Sequence, residues 1–198
     1  ASEIEMPRYE KRLPKFILTA SEADRIITMP DITTPFGLRD RAMLEVLYST
    51  GMRRAELAHL SIYDIDVERG TVMIRQGKGK KDRVVPIGER AIVWVQKYLD
   101  EARPQLVNEP DDGSLFLAYT GQPFSPDLLT RWVADYVDAA NIGKHGSCHM
   151  FRHSVATLML ERGEAIEHVR DYRNEMKAPW ELPHHGFGNA RQWAERYP

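Results

Sequence analysis

The chain holds a single cysteine, Cys148, among 198 residues. One thiol excludes an internal disulfide and a multi-cysteine zinc site, and it suits the reducing cytoplasm, where the protein is expected to work. Long apolar runs are missing as well: none approaches the ~18 residues that a membrane helix needs. The opening text, Ala-Ser-Glu-Ile-Glu-Met-Pro, lacks the basic-then-apolar pattern of a secretory leader. There is no internal repeat and no low-complexity tract. Nor is there an excess of either charge, since 27 Lys and Arg stand against 29 Asp and Glu, a formal net charge of -2. Phosphate contacts usually leave a basic excess, so this balance taken alone argues against a nucleic-acid partner. Net charge averages over a whole surface, however, and a basic site is compatible with an acidic remainder.

What is present is ordinary for one good-sized globular domain, with 42% hydrophobic and 28% charged residues. Basic residues and Pro7 and Pro14 mark the first eighteen residues as an extended lead-in. Thr19-Ala-Ser-Glu22 has capping-box spacing and predicts a short helix that stops by Pro30. A loop with Pro30 and Pro35 follows. A helix is predicted over Arg39–Thr50, with Met43, Leu44, Val46 and Leu47 mostly on one face and Gly51 as its stop. One or two further helical turns run from Arg53 to Leu60. The period then changes: Ile65, Val67, Val72, Ile74 and Val84-Val85 alternate with polar residues, predicting a small antiparallel sheet with a basic tip at Gly77–Lys81. Helices are predicted again over Glu89–Ala102, with Pro104 beyond the end, from Ser125-Pro126 onward, and over Ser147–Arg162, stopped by Gly163. Leu115-Phe-Leu117 reads as a short buried segment. The fold class is mainly α with a small antiparallel β-sheet. From Asp171 to Pro198 no apolar period persists beyond one turn.

Three segments carry candidate chemistry. Thr50-Gly-Met-Arg-Arg-Ala-Glu-Leu57 puts Arg53 at a helix start after a glycine turn, where a guanidinium fork and free N–H groups suit a phosphate oxygen. Glu56 is placed to orient one of the arginines. Gly77-Lys-Gly-Lys-Lys-Asp-Arg83 presents lysines at the tip of a two-stranded ribbon, where they can enter a DNA groove or donate a proton. His149-Met-Phe-Arg-His153 puts His149 and Arg152 on one helical face, opposite Phe151, Val155, Leu158 and Met159. Each segment alone has a plainer reading: a solvated helix start, a charged turn guarding a sheet edge, a structural histidine. A metal reading of His149 and His153 is weaker, because no Glu sits between them as in a metalloprotease helix.

Taken together and in order, the three segments resemble the tyrosine recombinases, the phage-type integrases and Xer-like enzymes. The matching text is Thr50-Gly-x-Arg-x-x-Glu-Leu57, Gly77-Lys-Gly-x-Lys-x-Arg-x-Val-Pro86, and His149-x-Phe-Arg-His153 followed by Ala156-Thr157. The resemblance covers roughly residues 15 to 168. It implies a catalytic domain of the DNA breaking-and-rejoining fold over 19–170, preceded at 1–18 by a linker from an absent N-terminal DNA-clamping domain. It also implies cleavage and rejoining of double-stranded DNA through a covalent 3′-phosphotyrosine, with no metal or cofactor. Arg53 and Arg152 would grip the scissile phosphate, Lys78 would protonate the leaving 5′-hydroxyl, and His149 would assist proton transfer. Arg54, Lys80, Lys81 and Arg83 would contact DNA. Self-association on DNA, a tetrameric synapse in the family, and a monomer in isolation follow from the same resemblance.

The tail at 171–198 departs from the pattern. Where a second histidine is called for, the text is Asn174-Glu-Met-Lys177, and His184 falls where the nucleophilic tyrosine should be. Tyr197 is then the candidate nucleophile, ahead of Tyr172, with His185 or His184 as the second histidine. Two alternatives follow: an integrase remnant that binds DNA without cutting it, and, more remotely, an unrelated helical regulator.

Overall fold

The computed structural model describes residues 17–75, 77, 82–161 and 163. The first helix, α1 (Ala20–Ile27), carries the complete capping box: the Thr19 hydroxyl accepts the Glu22 N–H, and the Glu22 carboxylate accepts the Thr19 N–H. Ala23, Ile26 and Ile27 are its buried face. Helix α2 runs from Pro35 to Thr50, four residues longer at its start than the apolar pattern predicts. Thr34 caps it through the Gly37 N–H, and Pro35 takes a first-turn position where a missing N–H costs nothing. Gly51 closes it at φ 56.

Helix α2 is also less one-sided than its sequence suggests. Arg39, Asp40 and Glu45 are buried beside Met43, Leu44, Val46 and Leu47, because neighbouring elements cover both sides. It packs against α1, against α4 (Glu89–Lys97), against the π-helical turn that follows at Tyr98–Ala102, and against α7 (Cys148–Glu161). The buried charges are paired: Glu45 takes Arg41 and Arg90, and Arg90 reaches on to Asp24 of α1 at 2.8 Å.

After α3 (Arg54–Ala58) comes the predicted sheet: β1 (Ile65–Asp66), β2 (Thr71–Ile74) and β3 (Arg83–Pro86), antiparallel and in that order. Its register sets Val72 opposite Val85 and Ile74 opposite Arg83. Residues 76 and 78–81, the basic tip, lie outside the described residues.

The expected stop before Pro104 is corrected by the structure. The chain widens at Tyr98–Ala102, where the Arg103 N–H bonds the Tyr98 carbonyl five residues back, and then continues as α5 (Arg103–Leu106). A proline lacks the N–H for an i−4 bond and its ring crowds that carbonyl, so a wider turn lets the helix pass it. Leu115, Phe116 and Leu117 are buried as predicted. Helix α6 (Pro126–Ala139) starts at Ser125, whose hydroxyl accepts the Leu128 N–H, and buries Leu129, Val133 and Val137. Helix α7 packs against α2 and α6. Among the described residues no helix is long and apolar enough to cross a membrane.

Candidate active site

Two motifs separated by about a hundred residues meet where α2 ends. Gly51 adopts the left-handed conformation that turns the chain from α2 toward α3, and a Cβ there would lie 3.4 Å from the Val155 Cβ. The turn therefore lies directly against α7. The Gly51 carbonyl points to that helix and accepts a hydrogen bond from Arg152 Nη1 at 2.5 Å. Arg53, two residues on, is the N-cap residue of α3. The glycine turn thus brings the neighbourhood of Arg53 against the helix that carries Arg152.

Arg53 is held by Glu56. The Arg53 N–H donates to Glu56 Oε2 at 2.8 Å, and its Nη1 donates to Oε1 at 2.9 Å. This is the reciprocal half of a capping box, with an arginine in place of the usual hydroxyl residue. The Arg53 side chain remains a quarter exposed. Burial alone would raise the Glu56 pKa, but hydrogen bonds from Arg83 and Arg53 and the charge of Arg83 outweigh it and hold the carboxyl below its usual range. Glu56 is therefore an anion shared by two cations, and the three side chains together carry a net positive charge.

Arg83 does not lie where a DNA contact would. Its side chain is 6% exposed, and both terminal nitrogens face Glu56, at 2.8 and 2.6 Å. All four β3 residues are buried, so the alternation expected of a half-solvated strand gives way to a strand covered on both faces. Arg54 is 40% exposed and joins α3 to α6, with Nη1 on Thr130 Oγ1 at 2.7 Å and 3.2 Å from Asp127.

Helix α7 presents its two predicted site residues differently. His149 is exposed in the first turn, whereas Arg152 is buried at 8% exposure. The expected open face at positions 149, 152 and 156 is closed from Arg152 onward, because the Gly51 turn covers it; Ala156 is buried too. The opposite side holds Phe151 and Met159, both buried, with Leu158 half-buried; Val155, expected on that side, packs instead with Arg152 against the Gly51 turn. Among the described residues no cluster of three or more His, Cys, Asp and Glu is placed to hold a metal. Burial pushes the Cys148 thiol up to about 11, so it stays protonated and inert at neutral pH.

The start of the described chain is tied to the same helix, a link the sequence did not signal. The Leu18 N–H donates to the buried Ser154 Oγ at 2.7 Å, and Lys144 bonds the Ile17 carbonyl and Glu22. Lys78, Lys80, Lys81, Tyr172, His184, His185 and Tyr197 lie outside the described residues.

Comparison with known proteins gives consistent results. The model of the Phage integrase family matches residues 17–174. Tyrosine recombinase XerC 2 of Ralstonia nicotianae is 49% identical over 166 residues, covering 84% of this chain and 48% of the relative. Tyrosine recombinase XerD of Staphylococcus epidermidis is 39% identical over 168 residues, covering 85% and 56%. Among solved structures, XerA recombinase superposes with a TM-score of 0.72 at 29% identity, over 85% of this chain and 58% of that one. XerH, bound to its difH substrate in a pre-cleavage complex, gives 0.70 at 26% identity, over 84% and 49%. The chain thus spans about half the length of the curated relatives it matches.

Proposed function

This chain belongs to the phage integrase family, and we propose that it is the catalytic part of a site-specific tyrosine recombinase that cuts and rejoins double-stranded DNA. The observation that carries the reading is the bond from Arg152 to the Gly51 carbonyl, which seats the late-helix arginine against the turn that presents Arg53. Attack on a phosphodiester gathers negative charge on the non-bridging oxygens, and two preorganised guanidinium forks stabilise that charge without reorganisation. Arg53 and Arg152 take this task.

The remaining steps fall to Lys78 and His149, named by the family motifs, and to Tyr197 and His185, the candidates in the tail that departs from the pattern. The Tyr197 oxygen attacks phosphorus and forms a 3′-phosphotyrosine while the bond to the 5′-oxygen breaks. Lys78 gives that oxygen its proton, and His149 and His185 assist proton transfer. The covalent ester conserves the bond energy, so the 5′-hydroxyl can reseal the strand with no high-energy cofactor. Tyr197 and Tyr172 are the two tyrosines that follow the His149–Arg152 motif. Lys80, Lys81 and Arg54 contribute to DNA contact, and self-association on DNA belongs to the same reading. The XerH complex with difH supports DNA as the substrate class.

Incubation with nicked suicide duplexes tests this reading. The expected result is a covalent protein–DNA band that Arg53→Ala, Arg152→Ala and Tyr197→Phe each abolish while their melting curves stay cooperative. An adduct that survives Tyr197→Phe would move the nucleophile elsewhere. Full cleavage by either arginine variant would sink the phosphate grip.

A further inference from the structure

Arg83 has no task in the reaction just described, yet both terminal nitrogens of its buried side chain are held next to the site. Both its terminal nitrogens donate to Glu56, and both Glu56 oxygens also accept from Arg53. Oε1 takes one Nη1 from each arginine; Oε2 takes Nη2 of Arg83 and the backbone N–H of Arg53. The carboxylate sits between the two like a hinge pin with no free rotation. Neither Arg83 nor Glu56 is more than 6% exposed at the side chain.

Stability does not account for this arrangement. Desolvating a buried ion pair often offsets its Coulomb attraction, so an apolar pair of similar volume would hold the strand as well. Arg83 Nε, moreover, is buried without a hydrogen-bond partner among the described residues, and an orphaned donor is a further cost. The beneficiary is Arg53. A carboxylate fixed by a bidentate fork presents its remaining lone pairs in one direction, and those receive the Arg53 guanidinium and N–H.

We infer that Arg83 is a positioning residue, which clamps Glu56 and through it fixes the orientation of the Arg53 fork. Because Arg83 opens β3, the clamp also sets the register of the strand leaving the 76–82 segment against the start of α3. A shift of that strand would thereby be transmitted to Arg53. What Arg53 grips rests on the function proposed above; the clamp itself does not.

The test is nuclear magnetic resonance of the full chain labelled with 15N-arginine, the Arg53 guanidinium signals being identified by their loss in Arg53→Ala. Two variants are compared with the parent: Arg83→Met, which keeps length and removes the fork, and Arg83→Lys, which keeps the charge on a single donor nitrogen without the planar fork. The expected result is Arg53 N–H exchange accelerated about tenfold in Arg83→Met, the loss of roughly one hydrogen bond's worth of protection, and less in Arg83→Lys. A merely structural Arg83 would lower the melting temperature and leave Arg53 exchange unchanged in the folded variant, and that result overturns the inference. If Arg83→Met does not fold, Arg83→Lys decides by the same criterion. A random-sequence DNA duplex at low salt, added to the parent, separates the two claims. Absence of any shift in the Arg53 signals counts against the phosphate grip, while the exchange rates still judge the clamp.

Discussion

Asp40 and Arg39 are adjacent in α2 and both are buried, and each depends on neighbours from other elements. Arg39 Nε donates to Asp40 Oδ1, Nη1 donates to the Leu117 carbonyl, and the guanidinium lies 4.3 to 5.0 Å from the rings of Phe36, Phe124 and Trp132. Tyr136 donates its hydroxyl to the other Asp40 oxygen at 2.7 Å. Burial pushes the Asp40 carboxyl up to about 6, against the opposing pull of Arg39 and Tyr136. A carboxyl whose folded pKa exceeds its unfolded value holds its proton more tightly when folded. Its stabilising contribution is full below the ordinary value of 3.8 and is lost as pH rises through about 6. Asp111 has the opposite sign: its hydrogen bond from Arg103 lowers it to about 2, so its contribution is lost only as pH falls below 3.8 toward that value. Melting temperatures of Asp40→Asn against the parent should show the difference between them changing over pH 4 to 6 and flat above. A constant difference across that range would contradict the assignment. Glu56 supplies a second prediction at this scale. Glu56→Ala leaves Arg83 buried without its counter-ion, and urea unfolding should show a loss of about 3–5 kcal/mol.

At the scale of elements, the turn between α2 and α3 does more than end a helix. Gly51 stands at φ 56 with α7 close behind it, so an alanine there meets both left-handed strain and the Val155 side chain. Gly51→Ala should cost about 1–2 kcal/mol from backbone strain, measured by urea unfolding, since its Cβ would only reach ordinary contact with Val155. Thr19→Ala removes the hydroxyl that caps α1 and should cost about 1 kcal/mol. The starts of α1 and α6 were legible because Thr19–Glu22 and Ser125-Pro126 are local signals, satisfied by atoms three residues apart. The start of α2 carries the same kind of signal in Thr34-Pro35, but the flanking prolines concealed it as loop. The passage of the helix beyond Pro104 was not legible at all, since a π turn is not a sequence period. Arg83 was misplaced among DNA contacts for a related reason. Its position after a lysine-rich tip suggests solvent, and only the packing of β3 beside α3 reveals Glu56 opposite it.

For the whole molecule, the near-neutral charge takes on a definite meaning. Among the described residues part of the basic charge is committed internally: Arg39, Arg83 and Arg90 each pair with a buried carboxylate. On the function proposed above, these arginines are spent on the fold rather than on DNA. Binding to a random duplex should be weak, with log K falling linearly against log salt at a shallow slope that reflects few phosphate contacts. Lys78→Ala/Lys80→Ala/Lys81→Ala should weaken that binding and flatten the slope, as measured by fluorescence anisotropy across a salt series. Unchanged affinity in the triple variant would remove the 78–81 segment from the interface.

The sequence by itself determined the family, the helix–sheet–helix order and the identities of Arg53, Lys78, His149 and Arg152 as candidates, because those depend on residue types at fixed local spacings. It also offered Glu56 as an orienting group, three residues along the same helical turn. Tertiary structure alone decided which charges are spent on the fold and which face the site. Arg54 and Arg83 look alike in the text, yet one is half exposed between α3 and α6 and the other is sealed against Glu56. Burial, and with it the free energy of a charge, depends on what other elements bring alongside, and no local spacing encodes that.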